Sequence, residues 1–142
     1  MKQMKTFKGY ISSRKLSDGN YVPQKIQNMT IRNVCERYNV KYELSAAEYI
    51  FNNSFIMLQN IIDRSLKKND GIIFYSIFQL PEEYKKRNIN LNQIIKKKKQ
   101  IIFSNEKLFI QSKIDLMLVN DYIYLSKEIK NCPTKELINQ NI

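Results

Sequence analysis

A chain of 142 residues, 43% hydrophobic and 26% charged, suits one globular domain with one core; no apolar run approaches the roughly 18 residues of a membrane span, so a cytoplasmic protein without membrane insertion is expected. The absence of histidine excludes every scheme built on an imidazole, and two lone cysteines, Cys35 and Cys132, make neither a disulfide framework nor a zinc site. The net charge of +11 rests on lysine far more than on arginine, the residue suited to bidentate phosphate or base contacts, so a solvated basic surface is expected and nucleic-acid binding is not.

Thr6 to Ser12 (TFKGYIS) reads as a short strand of aromatic and β-branched residues, in which Gly9 points to a close backbone approach. Asp18-Gly19-Asn20 is a turn. Pro23 suits the first turn of a helix in which Ile26, Met29, Val34 and Tyr38 recur at helical spacing up to a stop at Asn39. Val40 to Leu44 alternates like a strand and ends at Ser45-Ala46-Ala47-Glu48. Asn52-Asn53-Ser54 supplies capping side chains for a helix carrying Phe55, Met57, Leu58, Ile61, Ile62 and Leu66.

Asn69-Asp70-Gly71 turns the chain into Ile72 to Tyr75, a continuous apolar run of the kind a central parallel strand shows. Pro81 opens a segment, Glu82 to Lys98, expected to be helical after Asn88. Ile101 to Phe103 is a fourth strand and Leu108 to Ile110 a short fifth. Ile114 to Ile129 reads as a helix, followed by a polar tail over residues 131–142. The Lys96–Lys99 run sits at a helix end, where cations favour the dipole, and reads as solvated.

The alternation implies a single α/β domain over residues 1–130: three layers, a mostly parallel sheet with helices on both faces, resolvase-like or flavodoxin-like. Such sheets bind ligands outside the carboxyl ends of their strands. Strand one ends in Ser12, Ser13 and Arg14, strand two in Glu48, strand three in Ser76 and Gln79, and strand four in Asn105 and Glu106. Arg14, beside a helix N-terminus, suits the anionic group of a sugar phosphate or pyrophosphate; the alternative is a surface arginine paired with Asp18. Glu48 and Glu106 are the candidate catalytic acid and base, against loop carboxylates or helix caps. Gln24, Gln27 and Asn28 suit hydroxyl recognition. Tyr75, Ser76 and Gln79 offer a ring and hydrogen bonds, although Tyr75 also fits a core. Tyr10, Ser12, Ser13 and Asn105 complete the binding set. With no glycine-rich phosphate loop, dinucleotide fingerprint or dense carboxylate cluster, neither a cofactor nor a metal is expected.

The blocks GYISSR, VPQKIQN, IRNVCERY, YELSAAEY, DGIIFYSIFQLPEE and NEKLFI, in that order, resemble the sporadic carbohydrate cluster family of bacteria. That resemblance implies a place in surface-polysaccharide synthesis, of O-antigen or capsule type, with a nucleotide sugar or sugar phosphate as ligand and another enzyme of the cluster as partner. More distantly, the layout resembles the catalytic domain of serine recombinases of the resolvase and invertase type. Tyr10 keeps the tyrosine of their Tyr-x-Arg-x-Ser pattern, while Ser12 stands at the arginine position and Arg14 at that of the nucleophilic serine. Phe78, Gln79 and Glu82 replace the aspartate and both arginines of their Asp-Arg-Leu-x-Arg motif, where Leu80 remains. The loss of that arginine set, with no DNA-binding extension expected after the last helix, points away from recombination. The leading reading is therefore an enzyme or enzyme component acting on a phosphorylated sugar. Its rivals are a partner-binding module and a degenerate recombinase-like domain that still binds DNA.

Overall fold

The computed structural model describes residues 4–51 and 53–131. Along the chain run β1 (Thr6–Ile11), α1 (Gln24–Arg37), β2 (Lys41–Ala47), α2 (Ile56–Asp63), β3 (Gly71–Phe74), α3 (Tyr84–Lys96), β4 (Gln100–Phe103), β5 (Leu108–Ile110) and α4 (Lys113–Asn131). A 3₁₀ turn, Ser65–Lys67, follows α2, and another, Ile77–Gln79, follows β3. The strands form one sheet in the order β2-β1-β3-β4-β5. β1 to β4 are mutually parallel and β5 is antiparallel to β4. The mostly parallel sheet expected from the alternation is present.

Two apolar cores explain why β3 is apolar throughout. On one face Ile72 and Phe74 pack with Tyr10, Ile101 and Phe103 beneath α2, α3 and α4. On the other, Ile73 packs with Phe7, Ile11 and Ile102 beneath Ile31, Val34 and Cys35 of α1. A strand covered on both faces has no position left for a polar side chain. Gly9 is required where β1 passes β2, since a Cβ there would collide with the Ser45 hydroxyl and the Tyr42 ring. Asn39 ends α1 with a positive φ of 55°, the left-handed conformation that asparagine tolerates. Burial pushes the Cys35 thiol up to about 11, so it behaves as a core residue. Cys132 and the rest of the expected polar tail beyond Asn131 lie outside the described residues.

Three boundaries differ from expectation. β2 runs on through Ser45-Ala46-Ala47 because, past an irregularity opposite Gly9, Ala46 and Ala47 pair with Tyr10 and Ile11. The start of α2 receives no side-chain cap from its neighbours; the cap comes from Glu48. α3 begins at Tyr84, before Asn88, because its buried face opens with Arg87 and Asn90 and turns apolar only at Leu91 and Ile94.

Candidate functional site

The carboxyl ends of β1 and β3 lie side by side, so the crevice above them is where a ligand is expected. The chain fills it with its own amides. Gln27, on the first turns of α1, accepts from Ser12 N (3.0 Å) and donates to Ser12 O (2.6 Å) and Val22 O (2.8 Å). Gln79, in the 3₁₀ turn after β3, accepts from Tyr75 N (2.9 Å) and Ser76 N (3.2 Å). Its amide donates to Ser12 Oγ (3.2 Å) and Gln27 Oε1 (2.9 Å). Ser12, Gln27, Ser76 and Gln79 are all buried. Both amides spend both N–H groups within the chain, so Gln27 and Gln79, with Ser12, tie β1, α1 and β3 together and neither amide has a free donor for a ligand.

Glu48 has a similar internal role. Its backbone N–H continues the sheet by donating to Ile11 O (2.9 Å), which sets its carboxylate above Tyr10. The carboxylate accepts from Tyr10 OH (3.0 Å), Tyr49 N (3.0 Å), Ser54 Oγ (3.3 Å), Met57 N (3.1 Å) and Leu58 N (3.2 Å). The last two are N–H groups at the start of α2 that have no partner within the helix. Glu48 is thus a buried helix cap. Tyr10 is held well above the usual phenol range by burial first, then by Glu48, with Arg14 opposing; it is a neutral donor.

Asn28 is also committed: its Oδ1 accepts from Tyr42 OH (2.9 Å) and Ser45 Oγ (2.8 Å), fastening α1 to β2 over Gly9. Tyr75 is buried in the α1-face core, so its ring is not offered for stacking. Gln24 and Ser13 are half-buried, at the start of α1 and just past β1.

Arg14 is different. Its guanidinium lies 4.4 Å from the centroid of the Phe55 ring and Nη1 donates to Ser54 O. Nη2 is buried and has no acceptor. It does not pair with Asp18, whose carboxylate accepts from Asn20. Arg14 lines a cleft of about 590 Å³ together with Lys15, Ile50, Asn53, Phe55 and Glu82.

A second cleft, of about 290 Å³, opens beside it, bounded by Phe78, Asn105, Glu106, Tyr122, Ser126 and Lys127. Glu106 accepts from Ser76 Oγ (2.7 Å), Ile77 N (2.9 Å) and Asn105 Nδ2 (3.3 Å). Its carboxyl is raised above the ordinary carboxylate range by burial, which outweighs these hydrogen bonds. Ser17, Phe78, Leu80 and Glu82 border both clefts. Glu48 and Glu106 follow β2 and β4, three inter-strand steps apart or about 14 Å, so the expected acid and base do not face one bond.

Sequence reasoning missed Phe55, over whose ring the Arg14 guanidinium lies, and Arg87. The latter is buried and donates to Pro81 O, Glu82 O and Asn120 Oδ1, joining α3 to α4 under the second cleft. Burial lowers its pKa from the usual arginine range. Among the described residues no cluster of three metal-ligating side chains forms, and no helix is long and apolar enough to cross a membrane.

No family model matches the chain and no curated protein is similar to it, so the resemblance to the sporadic carbohydrate cluster family gains no support there. Solved structures do match. The N-terminal catalytic domain of TP901-1 integrase superposes with a TM-score of 0.58 at 17% identity, over 87% of this chain and 97% of that one. A resolvase family site-specific recombinase from Streptococcus pneumoniae gives 0.58 at 9% identity, over 95% and 97%. The fold is resolvase-like.

At the carboxyl edge of this resolvase-like fold Tyr10 holds Glu48, Ser12 is buried and paired with Gln79, Arg14 lines the larger cleft, and Gln79 closes the crevice against Gln27.

Proposed function

We propose that the protein binds a phosphorylated small molecule at the carboxyl edge of its sheet, with the phosphate on Arg14. The observation that carries this reading is the Arg14 guanidinium: the residue lines the larger cleft, and its Nη2 is buried without an acceptor. An unsatisfied buried N–H of this kind costs about 1–3 kcal/mol. A phosphate oxygen in the cleft removes that cost and gains a charge-assisted hydrogen bond once the side chain turns Nη2, closed to solvent in the free protein, toward it. Phe55 fixes the plane of the guanidinium, and exposed Lys15 adds charge at the same wall. The adjoining cleft offers Asn105, Glu106 and Ser126 as hydroxyl partners, so a sugar phosphate or nucleotide-linked sugar is the ligand class. Where chemistry follows, Glu106 is its proton carrier. Strand exchange on DNA is not proposed, because the serine and arginine positions it needs hold Arg14, Ser12, Gln79 and Glu82.

The test is a thermal-shift panel of sugar phosphates, nucleotide sugars and inorganic phosphate on the wild type and on Arg14→Ala. A ligand at a hundred times its dissociation constant stabilises by about 2.7 kcal/mol and raises Tm by roughly 5–10 °C. The rise should vanish in Arg14→Ala. No rise across the panel, or a rise that survives the substitution, rejects the site.

One observation favours a second reading, a partner-binding module. Ile114, Met117, Leu118, Tyr124, Leu125 and Ile129 make an exposed apolar stripe along α4, whereas α2 turns its apolar face into the core. Such a stripe suits a protein partner. Stable co-purification lost in a Leu118→Lys, Leu125→Lys variant is the expected outcome under that reading.

A further inference from the structure

Immediately after β2, at the edge that carries Arg14, the chain presents Tyr49, Ile50 and Phe51 in succession, with exposures of 50%, 70% and 69%. Ile56, opening α2, is 63% exposed. Three adjacent large apolar side chains, none of them turned inward, form a patch of the kind that marks a binding surface. Only Ile50 belongs to the wall of the Arg14 cleft; Tyr49, Phe51 and Ile56 lie outside it. A molecule small enough to occupy the cleft covers Ile50 and leaves the other three in water. Covering the others takes a second, larger apolar surface, and a lipid layer supplies one joined to a phosphate.

We propose that the phosphate seated on Arg14 is borne by a lipid, and that Tyr49, Ile50 and Phe51 enter the boundary between headgroups and acyl chains when it binds. The inference rests on the reading of Arg14 as a phosphate site. An aromatic ring with a polar tip beside two wholly apolar side chains is the mixture suited to that boundary. Exposed Lys15, next to Arg14 in the same cleft, faces the anionic surface. The net charge of +11 draws the whole molecule toward it. A protein partner on the same patch needs apolar complementarity but no phosphate, so dependence on the headgroup separates the two occupants.

The test is flotation of the full chain with three vesicle types: phosphatidylcholine alone, phosphatidylcholine with phosphatidic acid, and phosphatidylcholine with phosphatidylserine at equal surface charge. The wild type should float with phosphatidic acid, less with phosphatidylserine and not with phosphatidylcholine. Combined Tyr49→Ser and Phe51→Ser, both outside the Arg14 cleft, should weaken flotation about tenfold or more while the thermal shift with a soluble phosphate persists. Arg14→Ala should abolish the preference for phosphatidic acid. Flotation of the double variant at wild-type strength overturns the proposal, as does a preference for phosphatidic acid that survives Arg14→Ala. A soluble-phosphate shift without any flotation overturns the lipid assignment alone. Absence of both overturns the phosphate site with it.

Discussion

The side-chain amides of Gln27 and Gln79 meet 2.9 Å apart, both buried, in the crevice between β1 and β3. A doubly wound sheet usually leaves that crevice open to a ligand. Here the two amides, with Ser12, satisfy one another and the surrounding backbone, so the open cleft lies instead on the flank where Arg14 and Phe55 stand. Gln79→Ala strips acceptors from Tyr75 N and Ser76 N and a donor from Gln27 Oε1. It should cost about 3 kcal/mol of stability, read as a lower urea midpoint at unchanged m-value. A stability loss below about 1 kcal/mol would mean that water replaces the amide and that the crevice is more open than its packing indicates.

Glu48 gives a second stability test. Glu48→Ala deprives Met57 N and Leu58 N of their acceptor and leaves Tyr10 OH buried without one. About 3 kcal/mol should be lost. Tyr10→Phe, which removes one donor and leaves the carboxylate its backbone partners, should cost about 1 kcal/mol. A ranking in the reverse order would show that the hydroxyl, and not the cap on α2, is what Glu48 is held for.

How far the sequence shows these features depends on whether the interaction is local. The run Ile72 to Tyr75 declares a strand buried on both faces, and the alternation of elements places four strand ends on one edge. Asn39 and Gly9 also show themselves, each through a backbone requirement of its own residue. The uses of Gln27, Gln79 and Glu48 do not. A polar residue at a strand end looks the same whether it faces a ligand or pairs with a side chain 52 positions away, as Gln79 does with Gln27. The start of α3 is hidden for a related reason: its buried face carries Arg87 and Asn90 before Leu91 and Ile94, so the helical period is present but its first turn is polar.

Gly9→Ala tests the close approach of β1 to β2. The added methyl meets the Ser45 hydroxyl and the Tyr42 ring, which are held by hydrogen bonds to Asn28 and to each other. Either the network gives way or the edge strand shifts. A loss of about 2 kcal/mol is expected, partly recovered by Ser45→Gly, which removes the hydroxyl in the way. Equal losses in the single and double variants would place the strain at the Tyr42 ring.

The pH dependence of stability isolates Glu106. Burial raises its folded-state pKa above the unfolded value, so the native state holds this proton more tightly than the unfolded chain does. The stabilisation is fully present below the unfolded carboxylate pKa of about 4.3 and is lost as pH rises through the raised folded value. Wild-type stability should therefore carry a falling component in that window. Glu106→Gln retains an acceptor for Ile77 N and a group able to bond Ser76 Oγ, two of the three contacts that the carboxylate makes, but it cannot ionise. In urea titrations repeated across the window, the falling component should disappear from the variant, and the difference between the two proteins should move in the variant's favour as pH rises. If the difference instead moves toward the wild type, the hydrogen bonds from Ser76 and Ile77 outweigh burial. Glu106 is then an ionised cap in the native state, and the second cleft loses its proton carrier.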